Sequence, residues 1–303
     1  MSAATDRRAQ AGVPGRVVVA GATGYLGKFV TREFKRRGHW VRALTRSVER
    51  LEQAGPFTAP GIARGEVDEV FVGQATRPET LRGLCAGGID IVFSSIGISR
   101  QRDGLTFDQV DYQANRNLLD LCTRSGVRKF VYVSMLGADQ IAKLAITRAH
   151  ERVVSDLQTS GLEFSVVRPS GFFSDMGAVL AMAKRGRVLL VGDGTNRFNP
   201  IHGRDLAEVC VDAAEGEARE VEAGGPEVFT QREVAELAFA VLGKPAKLTV
   251  VPLWLARGLA RGIGRINRQF GDLAEFIVTA GEVDAVGPAR GTMTLRSYFE
   301  ELT

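Results

Sequence analysis

The run Arg16-Val17-Val18-Val19-Ala20 leads straight into Gly21-Ala-Thr-Gly24-Tyr-Leu-Gly27, and a 3.6-period apolar pattern follows over 24–37. An apolar strand, glycines at spacing three and then a helix leave few folds open. Gly21 permits a tight turn off the strand, Gly24 lets a ligand approach the backbone, and Gly27 lets the helix pack closely on the strand. The first turn of such a helix offers unpaired N–H groups, which suit a pyrophosphate. Gly21, Thr23, Gly24, Tyr25, Leu26 and Gly27 are therefore the expected phosphate cradle.

The context supports that reading. Strand-like runs recur at 40–45, 69–72, 89–95, 129–134 and 163–168, with helix-like segments such as 109–125 and 141–160 between them. This alternation predicts an α/β fold: a Rossmann, doubly wound parallel sheet with helices on both faces. Near-continuous apolar runs such as IDIVFSSI fit strands covered on both sides. After Arg168 the rhythm changes, and the sequence from Gly224 onward predicts a small mixed lobe. The expected division is a disordered tail over 1–15, a nucleotide-binding domain over 16–170, and a C-terminal lobe for substrate over 171–303, some of whose segments return to the first domain.

Composition narrows the function classes. With 303 residues, 45% hydrophobic and 24% charged, the chain has globular character. A formal charge of +4 with pI ≈ 9.1 gives no argument for nucleic acid. Cys85, Cys122 and Cys210 are scattered without metal-ligand spacing, which fits a reducing cytoplasm and no metal site. Cys85 and Cys122 fall in apolar stretches and are expected to fill core.

The strand ending Leu44-Thr45-Arg46-Ser47 points to NADP(H). An NAD site wants a carboxylate there; this strand instead offers a guanidinium fork at Arg46, flanked by the hydroxyls of Thr45 and Ser47, for a 2′-phosphate.

GATGYLG at 21–27, VRALTRS at 41–47, VDYQANRNLLDLC at 110–122, KFVYVSMLGAD at 129–139, SGLEFSVVRPSGFF at 160–173 and NPIHGRDLAEV at 199–209 together resemble the atypical and extended short-chain dehydrogenase/reductase superfamily. Within it the chain is similar to the NAD(P)H-binding, NmrA-like branch. The resemblance implies that residues after the third strand hold the adenine. Gln74 stands there where the family usually has an aspartate. It implies that Ser95, Ile96 and Gly97 line the cofactor's path, that Asn115 is the family's structural and active-site asparagine, and that Pro169, Ser170, Gly171 and Phe172 close over the nicotinamide, with Phe173 beside them.

Hydride transfer to a carbonyl needs a positioned proton donor, which the superfamily supplies as Ser with Tyr-x-x-x-Lys. Ser134 matches the serine. In KLAITRAHERVV the tyrosine position is Ile146 and the lysine position is His150, so the spacing survives without the chemistry. His150 shares a helical face with Ile146, Val153, Val154 and Leu157, which suits either a packed core histidine or a ribose and proton contact. Ser134 and His150 are the expected catalytic pair; Asp139 and Lys143 are expected on the surface. His202 stands near a helix start that Asp205 is expected to cap.

From 254 to 270, Leu255, Leu259, Ile263, Ile266 and Phe270 recur at helical spacing, with Arg257, Arg261, Arg265 and Arg268 on the opposite face. Such a helix packs on its own lobe, covers an apolar substrate, or touches a membrane surface weakly. The leading expectation is a cytoplasmic NADPH-dependent reductase, a monomer or homodimer, that passes hydride to a carbonyl or conjugated alkene of a bulky apolar molecule. A non-catalytic NADP(H)-binding sensor or assembly factor comes second. A sugar-nucleotide epimerase ranks last, because that branch keeps Tyr-x-x-x-Lys.

Overall fold

Alternate residues of the first strand, β1 (Arg16–Ala20), face opposite ways. Val17 and Val19 enter one apolar cluster, and Val18 and Ala20 enter another, so both faces of the strand need cover. The computed structural model describes residues 14–98 and 104–303. Of the tail expected over 1–15, only Pro14 and Gly15 are among them, and the Gly15 N–H donates to His39 Nδ1 at 3.1 Å.

After β1 come α1 (Tyr25–Arg36), β2 (Trp40–Thr45), a short α2 (Val48–Glu52), β3 (Glu69–Val72), β4 (Ile91–Ser94), α3 (Ala114–Ser125), β5 (Lys129–Val133), α4 (Ala145–Thr159) and β6 (Glu163–Pro169). Then α5 (Phe173–Lys184), β7 (Val188–Val191) and β8 (Arg197–Phe198) leave the sheet, while α6 (Gly203–Glu215) and β9 (Glu220–Ala223) return to it. The chain ends with β10 (Phe229–Thr230), α7 (Gln231–Val241), β11 (Leu248–Val251), α8 (Leu253–Ile266), α9 (Arg268–Ala280) and α10 (Leu295–Glu301).

Seven strands form one parallel sheet in the order β3-β2-β1-β4-β5-β6-β9. The expected Rossmann sheet is thus the observed one. Leu26, Val30 and Phe34 of α1, with Leu206 and Cys210 of α6, cover one face. Leu118 and Cys122 of α3, with Val153 and Leu157 of α4, cover the other, and Cys85 is buried among them. A third cluster joins Phe173, Leu180, Phe239 and Phe299 in the lobe. The connection 53–63 ties the lobe to the sheet. Phe57 and Thr58 there both have positive φ, 61° and 62°, and the Phe57 ring fills the space beside Gly177, where a Cβ would come 2.6 Å from it. Two adjacent non-glycine residues held in this region are a strained feature that the surrounding packing must maintain.

Two helices differ from expectation. The segment 109–125 is not one α-helix: Asp108–Gln113 makes a wider π turn before α3. That turn carries Asp111 into the interior, where it is fully buried. The segment 141–160 becomes helical only at Ala145, because 137–144 is taken up by turns closed by Gln140 N–H to Gly137 O and Leu144 N–H to Ile141 O.

The sheet's order reverses between β1 and β4, and ligands of open α/β sheets bind at such a point, beyond the C-terminal strand ends. There α1 sits so close to the β1 turn that a Cβ on Gly27 would lie 2.6 Å from the Gly21 carbonyl carbon and nearer still to its oxygen. Gly27→Ala is therefore expected to cost about 1–3 kcal/mol in urea unfolding and to weaken nucleotide binding. Parental stability in that variant would show that the contact has slack.

Candidate functional site

The crevice begins at Gly21, whose φ of 89° suits glycine. Its carbonyl accepts the Gly24 N–H at 2.8 Å, and the first intrahelical bond runs from Lys28 N–H to Gly24 O at 3.1 Å. The N–H groups of Tyr25, Leu26 and Gly27 precede that bond. The first turn of α1 carries no acidic residue, and no side chain caps it. Ser95, just past β4, closes the other side: a Cβ on Gly21 would come 2.9 Å from its Oγ. An anion at this helix start meets aligned N–H donors and no carboxylate from that turn, so the cradle fits a dinucleotide's diphosphate.

At the adenosine end the three polar residues divide their work. Thr45 Oγ donates to the Ser47 carbonyl at 2.6 Å and accepts the Ser47 N–H at 3.0 Å. Ser47 Oγ donates to Glu49 at 2.6 Å and accepts the Arg50 N–H at 3.4 Å as the cap of α2. Both hydroxyls are committed to shaping the turn, with exposed Arg46 between them. Gln74 turns its amide nitrogen onto Thr76 at 2.8 Å.

The reacting end is organised by a buried polar chain. Ser94 Oγ donates to Asn115 Oδ1 at 2.5 Å, and Asn115 Nδ2 donates to the carbonyls of Asp111 at 2.8 Å and Ile96 at 3.1 Å. The Asp111 carboxylate accepts the Ile98 N–H at 3.1 Å and faces His150 Nε2 at 3.1 Å. His150 Nδ1 meets the Tyr132 hydroxyl at 2.9 Å. Gly97 has no room for a Cβ, which would stand 2.9 Å from Asp111 Oδ1. Burial pushes the Tyr132 hydroxyl well above its ordinary pKa, with the charges of Asp111 and Glu151 adding to the effect. The tyrosine therefore keeps its proton, and both ring nitrogens of His150 are engaged inside the protein, Nδ1 with Tyr132 and Nε2 with Asp111.

Asn115 is accordingly a brace for the β4 tip, and His150 spends both nitrogens inside the protein. Ser134 is similarly engaged: its hydroxyl donates to Glu151 at 2.9 Å and accepts from Arg168 at 3.3 Å, within the Arg168–Glu151 ion pair at 2.7 Å. Ile146, at the tyrosine position, lies in an apolar cluster with Phe107, Ile141, Leu144, Met135 and Ile98, closed by Leu273 and Phe276 of α9. Asp139 and Lys143 are exposed, as expected.

Pro169 to Phe172 tie the sheet to the lobe. The Leu136 N–H donates to Pro169 O at 3.0 Å, Ser170 N–H to Ala223 O at 3.0 Å, and Ile201 N–H to Gly171 O at 2.9 Å. Ser170 Oγ bonds the Asn199 carbonyl. Phe172 is half-buried beside Tyr25, whereas Phe173 points into the lobe core. The Tyr25 side chain also leaves the cradle, its hydroxyl accepting the Gly203 N–H at 3.0 Å.

The start of α6 corrects an expectation. His202 itself caps the helix, its Nδ1 accepting the Arg204 N–H at 3.2 Å. Asp205 instead accepts the Thr292 and Met293 N–H groups, both at 2.9 Å.

Asp111, Tyr132, Glu151 and Arg168 were missed by sequence reasoning. Asp111 and Asn115 are four apart on one helical face with Leu118 and Cys122, and that polar pair on an apolar stripe is the one signal that marked them.

Residues 21–217 match the family described as NAD(P)H-binding. The divinyl chlorophyllide a 8-vinyl-reductase of Arabidopsis thaliana is 29% identical over 284 residues, which are 86% of this chain and 66% of that protein. The photosystem II assembly factor Ycf39 of Synechocystis sp. is 25% identical over 248 residues, 80% of this chain and 72% of that one. The fold is also that of the NADPH-dependent quinone oxidoreductase QOR2 of Escherichia coli, crystallised with NADPH: TM-score 0.69, 17% identity, covering 94% of this chain and 99% of that one.

Two measurements check the buried groups. Tyr132→Phe removes only the hydroxyl and leaves His150 Nδ1 without its partner, so a loss of about 1–2 kcal/mol is expected in urea unfolding. No loss would mean that the contact is idle. Burial holds the His202 imidazole at about 4, below its usual 6.5, against the opposing charge of Asp205. An unfolded chain takes up that proton near pH 6.5 and the folded chain only near pH 4. The residue's contribution is therefore full above pH 6.5 and falls away as the pH drops through this window, by on the order of 3 kcal/mol at most. His202→Asn keeps a capping acceptor and should flatten the urea midpoint between pH 7 and 4.5. A variant that follows the parental pH curve would remove His202 from this account.

Proposed function

The chain belongs to the NAD(P)H-binding family, and on that footing we propose that it is an NADPH-dependent reductase acting on a conjugated double bond of a bulky, apolar small molecule. The observation that carries this reading is Ile146 in its apolar cluster, at the position where the superfamily's proton-donating tyrosine stands. Reduction of a carbonyl concentrates negative charge on one oxygen and calls for a donor beside it. Addition of hydride to a conjugated alkene spreads that charge over the substrate's own π-system, which then takes its proton from solvent, and an apolar wall beside the hydride-accepting carbon is compatible with it. The name of the plant relative, a vinyl reductase, supports the alkene over the carbonyl.

Bound at the cradle, NADPH supplies the hydride. The N–H groups of Tyr25, Leu26 and Gly27 hold the diphosphate, and Arg46 takes the 2′-phosphate. The Asp111–His150–Tyr132 chain fixes 96–98 along the cofactor's path through the Ile98 N–H. Met135, Ile141, Ile146 and Phe276 would face the apolar part of the substrate.

A second reading rests on a different observation. The Ser134 hydroxyl donates its hydrogen bond to Glu151, and both nitrogens of His150 are bonded. A site without a ready acid also suits a nucleotide-binding assembly factor, the role in the name of the Synechocystis relative.

Titration separates the claims. NADPH should bind more tightly than NADH, and Arg46→Ala should remove about 1.5–3 kcal/mol of that preference, roughly a tenfold to hundredfold loss of NADPH affinity. Equal affinity of the parent for both nucleotides would sink the assignment of Arg46. Planar apolar acceptors bearing a conjugated vinyl group should then oxidise the bound NADPH. Binding without oxidation across such acceptors would favour the assembly factor.

A further inference from the structure

Helix α8 touches the rest of the protein along a narrow seam. Ala256 and Ala260 are its buried residues, and they face α9. The crossing is close because glycine meets glycine: a Cβ on Gly271 would come 2.8 Å from the Gly264 nitrogen. The rest of the helix surface is open. Trp254 is 75% exposed, Leu259 56% and Ile266 91%, and Leu255, Ile263 and Phe270 are exposed as well. The apolar row that the sequence spacing announces is thus neither core nor covered.

At ~100° per residue, Leu255, Leu259, Ile263 and Ile266 occupy one arc of α8, and Arg257, Arg261 and Arg265 occupy the arc across from it. Arg257 is paired with Glu282 at 2.7 Å. Charge is strongly segregated here: residues 237–271 contain six lysines and arginines and no aspartate or glutamate, while the whole chain carries a formal +4.

We propose that the α8–α9 hairpin docks on the surface of an anionic phospholipid bilayer. The apolar row with Phe270 enters the headgroup boundary, and the basic stretch is drawn to the negative surface potential. A helix of 14 residues is ~21 Å long, too short for a hydrocarbon core of ~30 Å, and among the described residues no helix is long and apolar enough to cross a membrane. The hairpin therefore lies on the bilayer. A second copy is a poorer occupant. A two-fold contact would draw two copies of the basic stretch 237–271, each with six lysines and arginines, close together. On the inner side of α9, Leu273 and Phe276 belong to the cluster around Ile146, so the docked face backs onto that cluster. The proposal does not depend on the reductase reading, because its test measures no turnover.

Co-sedimentation with vesicles decides it. The full chain should pellet with phosphatidylcholine vesicles containing about one-third phosphatidylglycerol, release as salt rises, and bind pure phosphatidylcholine at least tenfold more weakly. The double variant Leu259→Glu with Ile266→Glu alters two exposed side chains. It should lose vesicle binding at least tenfold and keep its NADPH affinity, which reports that it is folded. Arg261→Gln with Arg265→Gln should reduce the preference for phosphatidylglycerol. Three results would each overturn the proposal: no vesicle binding by the parent at low salt, undiminished binding by the Leu259/Ile266 variant, or a parental dimer that this variant converts to monomer without any vesicle contact.

Discussion

The contact of Gly27 with the Gly21 carbonyl sets the geometry of everything around it. A helix with any side chain at position 27 would stand off the β1 turn, and its opening N–H groups would no longer converge on the crevice. The same device recurs on the neighbouring strand. Gly97 lies against the Asp111 carboxylate as closely as Gly21 lies against Ser95. Missing side chains thus bring the tips of β1 and β4 close to the groups that brace them, and the crevice between those tips is what remains.

The second organising element is the buried chain from Ser94 through Asn115, Asp111 and His150 to Tyr132. A fully buried carboxylate is costly unless donors surround it, and Asp111 has the Ile98 N–H and His150 Nε2. Low local dielectric strengthens those bonds and makes the loss of any one expensive. The wide turn at Asp108–Gln113 delivers Asp111 to this position, and such π segments tend to occur at functional sites. His150 thereby becomes a positioning group. An imidazole with both nitrogens bonded orients its neighbours well and delivers a proton poorly, which agrees with the apolar residue one turn earlier at Ile146.

What the sequence disclosed and what it hid follow one physical division. β1 ends where its apolar run ends, since a strand covered on both faces must be apolar throughout, and β2 and β3 keep the expected bounds. The phosphate cradle is legible because its function lies in backbone shape, which glycines announce. The fates of Ser134, Asp111 and Asp205 were hidden because they depend on partners distant in sequence. Glu151 and Arg168 are 17 and 34 residues from Ser134, and Thr292 takes Asp205 away from the α6 cap from 87 residues away. A polar residue in a helical pattern reads as surface until such a partner is found, and that is how Asp111 escaped notice. Phe172 and Phe173 are adjacent, yet one flanks Tyr25 and the other fills the lobe core, a choice made by α5 and α10.

The hairpin of α8 and α9 shows the same limit from the other side. Spacing of three and four reveals a stripe, and nothing in the spacing says what covers it. Gly258 and Gly262 face open space, so close packing does not require them, yet each costs a helix about 1 kcal/mol relative to alanine. A helix of this length, with those residues, is marginal by itself. Its order comes from its contacts: the Gly264–Gly271 crossing, the seam at Ala256 and Ala260, and the Arg257–Glu282 pair. None of these buries the Leu/Ile row. The sheet and its glycines therefore account for the nucleotide crevice by themselves, whereas α8 keeps an apolar face that the fold leaves to the solvent side, next to the α9 residues that pack on the Ile146 cluster.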